Sequence, residues 1–448
     1  RGNLATTTYT YAGGLYDYVE RRFLGFRTVT ETLPILAGET APPTRNYTFR
    51  QDLATAGRIE KLEVKDGAGR LLRTVSHTYD TTDAAPFVAR EAAIETVERD
   101  AAGATRTSRR EFDQDAYGNV VQERRLGRLD TTSDDRTVRL GYYPNTEAYI
   151  VDRKAAEFLT EVVDGATTYR AKALAYYDDQ TSYAIPPTKG DVTRLRRWYD
   201  VSNTYFDRRY VWDAAGNRIR EADETGSITD PTRRTDIAYD ATWNLFPVGE
   251  TTPANEFGTR LVTTTGWDVG CAAKTSVTDP NGAVVTTTFD PFCRVATVEK
   301  PLGDYEHWTR VDDPVAGWTA RMVAPPPTGQ TTELFTETLF DGLGREVKVT
   351  KSGPTAAAPI VVETGWDGRG NKASETLPRY GTATARTRQF RFDALARPIA
   401  TIEPDGATTA TAYGLSDEAR GILTATVTDP NGNVSVTHAD GFGRDIRR

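Results

Sequence analysis

Hydrophobic and polar positions alternate along this chain in short runs rich in Val, Thr, Tyr, Ile and Phe, and each run is cut by Asp, Asn, Pro and Gly. A period of two over a few residues, closed by turn formers, predicts half-buried strands joined as hairpins. Residues 58–80 read as strand, the turn Asp66-Gly67-Ala68-Gly69, and a second strand ending at Tyr79-Asp80. Residues 92–113 repeat this through Asp100 to Gly103 and end at Phe112-Asp113, and residues 155–178 repeat it through Asp164-Gly165 and end at Tyr177-Asp178. Asp-Gly between β-favouring runs is a strong hairpin signal, because Gly takes the positive φ that a tight turn requires. Helical patterning is weak. Lys154 to Val163 has apolar residues near helical spacing, but it runs straight into a hairpin turn and is read as strand. Stretches containing Pro and Gly at 34–43, 185–190, 325–329 and 353–359 read as loops between hairpins.

A longer repeat overlies the alternation: an aromatic residue, Asp, a short turn usually closed by Gly, then Asn or Arg. It occurs as Trp212-Asp213 to Gly216-Asn217, Phe340-Asp341 to Gly344-Arg345 and Trp366-Asp367 to Gly370-Asn371. Looser copies begin at Tyr199, Phe206, Tyr239, Trp267, Phe289 and Phe392, and Ala439-Asp440 keeps the Gly443-Arg444 ending without the aromatic. The beats at Phe340, Trp366 and Phe392 are 26 residues apart, enough for two strands and two turns. A second turn, Thr-Asp-Pro-Asn-Gly, appears at 278–282 and 428–432. Such self-similarity indicates a stacked or wound architecture, so the usual inference of several separate domains from 448 residues gives way to one repetitive body.

Composition agrees with a sheet wetted on both faces. Hydrophobic residues are 38% of the chain and Met occurs once, too little apolar material for a thick core. The net charge of −8 comes from acids and bases interspersed without long runs, and there is no basic stripe of the kind that binds nucleic acid or anionic membranes. No apolar run approaches the 18 or so residues that would span a bilayer as a helix. The chain opens at Arg1 and closes in the middle of a repeat, and is therefore expected to be a fragment of a longer protein.

The Asp of each beat can be read as a calcium ligand or as a turn former. Calcium loops cluster several acids at alternate positions, whereas one Asp per turn is the rule here, so turn formation is the better reading. The aromatics, at strand ends, are expected to stack from one hairpin to the next. Asp80, Asp83, Asp134 and Asp135 read as solvated loop charges. His77, His307 and His438 are far apart in sequence and sit in no nucleophile motif, and no phosphate loop, zincin motif or Gly-x-Ser-x-Gly elbow is present. No catalytic, cofactor-binding or metal-binding residue is nominated, and the chain is expected not to be an enzyme. Cys271 and Cys293 each fall four residues after a beat aromatic. They form either a disulfide across neighbouring turns or two unpaired thiols, since turns two strands apart are about 9–10 Å distant along a ladder.

The aromatic-Asp-x-x-Gly-Arg/Asn beat resembles the YD repeats of the Rhs family, over roughly residues 200–448 and more loosely from 58. Tyr9-Thr10-Tyr11-Ala12-Gly13-Gly14-Leu15-Tyr16-Asp17, followed by Glu20-Arg21-Arg22-Phe23-Leu24-Gly25-Phe26, resembles the junction that enters the Rhs part in B components of bacterial insecticidal toxin complexes and related plasmid virulence proteins. The resemblance implies an all-β fold of antiparallel hairpins wound into a spiral sheet, part of a hollow shell. It also implies a junction at 1–57, long-hairpin repeats at 58–190 and YD-type repeats at 191–448, all in one continuous architecture. The implied function is structural encapsulation of a C-terminal toxic polypeptide by a secreted virulence protein. Its partners would be that toxin or a cage-completing polypeptide and a delivery channel component, with no nucleic acid and no membrane span. The self-cleaving core segment and the variable toxin of the family are absent from this sequence. A surface adhesin that binds glycan or protein is the alternative, and a carbohydrate-active enzyme is a third.

Overall fold

The computed structural model of the chain describes residues 5–82, 84–163, 165–223, 227–313, 317–355 and 357–448, so Asp83 and Asp164 lie outside the described residues. Among these, 33 strands from Thr8–Asp17 to Asp445–Arg447 form one sheet, and the one helical segment is a single 3-10 turn at Pro301–Gly303. Each strand pairs antiparallel with the next in sequence, as Ile59–Lys65 does with Leu71–Thr81 and Thr204–Trp212 with Arg218–Ala222. One strand departs from this: Arg379–Tyr380 pairs with the start of Ile360–Trp366, while Lys372–Thr376 pairs with its end. No ladder joins the first strand to the last. The sheet is open, as a spiral wall must be, and the predicted all-β class of wound hairpins holds. Lys154–Val163 is a strand despite its near-helical spacing, because its neighbours on both sides are strands that need its backbone groups.

A meander of this kind places alternate turns on opposite rims. The turns led by Asp17, Asp213, Asp240, Asp268, Asp290, Asp341, Asp367, Asp393 and Asp440 follow strand ends that fall on one rim, here the aromatic rim. The turns led by Asp66, Asp100, Asp279 and Asp429, with loops 34–43 and 127–135, fall on the other. Two sequence beats do not fit this division. Tyr199-Asp200 lies at a turn of the opposite rim, and Phe206-Asp207 lies inside strand Thr204–Trp212. Asp207 is instead a mid-strand anchor, 2.7 Å from Arg196 and 2.5 Å from Arg194 on the neighbouring strand.

That anchor is one of a series. Glu123 is held by Arg110 and Arg125, Glu161 by Arg136 and Arg170, and Asp236 by Arg220, Arg234 and Arg260. Burial alone would raise the Asp236 carboxyl, but hydrogen bonds from Arg220 and Arg260 outweigh it and hold it at about 2. Buried apolar clusters are small by comparison. One joins Ala155, Ala175 and Tyr177, and another joins Ala156, Leu174 and Tyr176. Cross-strand ion pairs thus supply part of the cohesion that a second packed layer gives an ordinary sheet.

The sheet coils until it meets itself. Thr408–Leu415 comes to lie by Ala89–Arg99, and Gly421–Thr428 by Thr105–Gln114. These contacts are about twenty-three strand spacings apart along the ladder. At about 4.8 Å each, the coil has a perimeter of roughly 110 Å, that of a circle roughly 35 Å across between backbones. Where the coils overlap, the aromatic rim of the second stands on the opposite rim of the first.

Candidate functional site

Three features of the wall carry its chemistry: the Asp turn, the aromatic before it and the seam between coils. In the turn led by Asp213, Oδ1 accepts the N–H groups of Ala215 and Asn217, both at 2.9 Å. Gly216 donates its N–H to the Asp213 carbonyl, and its φ of 83° suits a residue without a Cβ. The same two bonds recur at Asp290, Asp341, Asp367, Asp393, Asp429 and Asp440. The backbone donors are two and four residues on, in a three-residue loop that ends in a left-handed position.

The Asn or Arg that closes the repeat is explained by the second carboxylate oxygen. Asn371 donates to Asp367 Oδ2 at 2.9 Å, and Arg345, Arg397 and Arg444 donate to their own turn Asp at 2.8 Å. Both carboxylate oxygens are therefore occupied by donors in these turns. Among the described residues, no group of three or more His, Cys, Asp or Glu side chains is arranged to hold a metal ion.

The aromatics do not form the expected continuous ladder, because most consecutive beats lie two strands apart and rings stack over only about 4.5–7 Å. Ring contacts are local, as between Phe340 and Trp318 at 3.8 Å and between Tyr199 and Phe206 at 5.7 Å. Trp and Tyr instead use their polar ends. Trp212 donates its indole N–H to the Val192 carbonyl at 2.7 Å, Trp267 to Pro247 at 2.9 Å and Trp366 to Glu346 at 2.8 Å. Tyr79 and Tyr177 donate to Ile59 and Lys154, both at 2.8 Å. Each acceptor begins the adjacent strand, just past the preceding turn or loop of the aromatic rim. Arg345 also lies over the Trp366 ring at 5.3 Å. At each of these Trp and Tyr positions a turn of this rim is tied to the one before.

Cys271 and Cys293 are joined in a disulfide with their Cα atoms 5.3 Å apart. They belong to neighbouring turns of the aromatic rim. The ladder spacing of about 9–10 Å governs strands, not loops, and these two loops project beyond the ladder and converge. Cys293 occupies the left-handed position of its turn with φ 60°, whereas in the Trp267 turn that position falls to Ala272, one residue past Cys271.

At the seam, Arg369 of the second coil donates to the Pro34 carbonyl at 2.9 Å and pairs with Glu39 of the first. Further along, Arg106 pairs with Asp417 at 2.6 Å, and Arg128 donates to the Glu418 carbonyl at 2.7 Å. A cavity of about 890 Å³ opens between the coils, with Leu36 and Leu72 on one side and Phe390, Ile399 and Tyr413 on the other. The three histidines are not brought together. His77 contacts Glu91, His307 contacts Glu299, and His438 Nδ1 lies 3.0 Å from Ser416 Oγ at the seam.

Of the predicted solvated charges, Asp80 is exposed, but Asp134 is only 4% exposed. Its Oδ2 accepts the Arg128 N–H at 2.9 Å, while Oδ1 is buried without a partner. Burial pushes its carboxyl up to about 6, and burial also raises Asp135 and Asp440. Nothing in the sequence around 127–135 indicated burial, since the second coil that covers it arrives some 290 residues later.

Residues 1–47 match the family model described as the insecticide toxin TcdB middle/N-terminal region, which includes the stretch from Tyr9 to Phe26 that carried the resemblance in sequence. No curated protein matches the chain. The fold is shared with the TcdB2-TccC3 complex solved without its hypervariable C-terminal region, at a TM-score of 0.75 and 11% identity over 98% of this chain and 34% of that one. It is shared also with TcdB2-TccC3 itself, at 0.73 and 11% over 98% and 32%. The Tc holotoxin pore of Photorhabdus luminescens gives 0.73 and 11% over 98% and 35%. The chain spans about a third of the length of these structures.

Proposed function

We propose that this chain is a wall segment of the hollow shell of a bacterial toxin complex, and that it is structural, not enzymatic. The observation that carries the reading is the seam. A sheet that returns to stack one rim on the other builds a tube around a space, and this one does so with bonds spaced from Arg369 to Arg128. The shared fold supports the reading, as does the family match at the start of the chain. Charged side chains tied in cross-strand pairs suit a wall bathed in water on both faces. The disulfide fits an extracellular protein, because such bonds persist in oxidising compartments.

The enclosed passenger would be a polypeptide held by many weak contacts, and the partner would be a second hairpin wall that completes the cage, with a channel component for delivery. Such a wall would continue the stack on the opposite rim beyond loop 127–135, where the seam bonds among the described residues end. Electron microscopy of the full-length protein tests this. A closed particle with an internal void and extra density from a C-terminal polypeptide is expected. A solid rod or an open solenoid would overturn the encapsulation role.

A further inference from the structure

Among the described residues, the buried charged side chains Arg128, Asp134 and Asp440 lie together where loop 127–135 of the first coil meets loop 416–420 and turn 440–444 of the second. Gly441 packs so closely on Gly127 that an added Cβ would come within 3.1 Å of the Gly127 backbone, and a Cβ on Gly127 would fall 1.9 Å from Asp134 Oδ2. Asp134 is therefore enclosed directly beneath the seam. Its flanking residues form the seam bonds: Arg128 donates to the Glu418 carbonyl at 2.7 Å, and Ser133 Oγ donates to the Ala419 carbonyl at 3.4 Å. The carboxyl thus sits on the loop that grips the second coil, and one of its oxygens is buried with no donor.

We propose that this seam is an acid-tightened latch: a proton on Asp134 holds the two coils together, and loss of that proton at neutral pH loosens loop 127–135 from loop 416–420. The reason is electrostatic. A neutral carboxyl is tolerated in this enclosure, whereas a carboxylate with an unpaired oxygen favours any opening that admits water.

The charged neighbours are mixed in sign. On the same loop and the strand after it are Arg128, Asp130, Asp135 and Arg136. From the second coil come Asp417, Glu418, Arg420, Asp440 and Arg444, with Arg106 at the far side of the loop. Arg128 is engaged by Asp130, Arg444 by Asp440 and Arg106 by Asp417. Arg420 favours the charged form of Asp134, while Asp135 opposes it and burial outweighs both.

The sign follows from linkage. An acid whose closed-state pKa is about 6, against about 3.8 when open, favours closure below pH 4 and loses that contribution as pH rises towards 6. Opening should become about tenfold more frequent between pH 5 and pH 7.5.

Hydrogen exchange of the chain, corrected for intrinsic rate, measures this. Peptides over 127–135 and 416–421 should be about tenfold better protected at pH 5 than at pH 7.5, while strands 334–351, away from the seam, should show no such change. Asp134→Asn should be protected at both pH values. His438→Gln, which removes the imidazole beside Ser416 at the seam, should leave the wild-type dependence in place. Asp417→Asn should lower protection equally at both pH values. Equal protection of the wild-type seam at pH 5 and 7.5 would overturn the latch without any variant, as would a pH dependence that is undiminished in Asp134→Asn or disappears in His438→Gln.

Discussion

Asp341 and Asp440 lead two copies of the same turn, one in the single-layered arc and one at the seam. Each accepts two backbone N–H groups and an Arg four residues on. Yet burial, partly raising the Asp341 carboxyl, is outweighed there by hydrogen bonds from Arg345 and the backbone, so its pKa is lowered. At Asp440, whose side chain is 2% exposed, burial wins and the pKa is raised. Local sequence specifies the bonds, while the contact between coils decides their electrostatic meaning. The arc is a wall held by its own turns, and the seam is an interface that must also bury charge.

The comparison breaks most readily at the seam. Gly127→Ala forces a methyl against Asp134, and should cost about 2–3 kcal/mol and expose the 127–135 loop to limited proteolysis. Asp440→Ala should cost nearly as much, about 2–3 kcal/mol in chemical denaturation, because the Arg444 partner and two N–H groups lose a buried acceptor. The equivalent Asp341→Ala should cost only about 1 kcal/mol, since water replaces the lost acceptor. Equal losses at the two sites would show that the seam adds nothing to the turn.

The same pair sharpens the comparison through pH. The Asp341 contribution is present above the ordinary carboxylate range and lost as pH falls through its lowered pKa. That of Asp440 is full below the ordinary range and lost as pH rises through its raised pKa. Subtracting each Ala variant from wild type over a pH series of unfolding curves should therefore give slopes of opposite sign. Trp366→Phe keeps an aromatic, smaller ring and deletes the donor to the Glu346 carbonyl, and a loss of about 0.5–1 kcal/mol is expected. The smallest effect is a gain. Ala396 holds φ 60° where most copies have Gly, so Ala396→Gly should stabilise the turn by about 0.5 kcal/mol, read as a slight rise in Tm.

Much of the fold was legible in the chain because hairpins are local. Asp66-Gly67-Ala68-Gly69 announces its turn within four residues, and period-two alternation fixes the strands beside it. The Asn and Arg endings were visible but unexplained, since their partner is the far carboxylate oxygen of the same turn. Phe206-Asp207 misled for the opposite reason: it has the spelling of a turn, but Asp207 lies between arginines in mid-strand. Asp134 reads as a loop charge because the loops that lie against its own loop at the seam, 416–420 and 440–444, come some 290 or more residues later.

The sequence by itself determined the unit of this protein: strand, Asp turn, strand, with an aromatic handle at one end. Those choices rest on φ preferences and on hydrogen bonds spanning a few residues, and each copy carries them entire. Only the tertiary structure decided which turns share a rim, where the sheet meets itself and which carboxylates lose water. These depend on twist and curvature accumulated over more than twenty strands, and no single hairpin contains that sum.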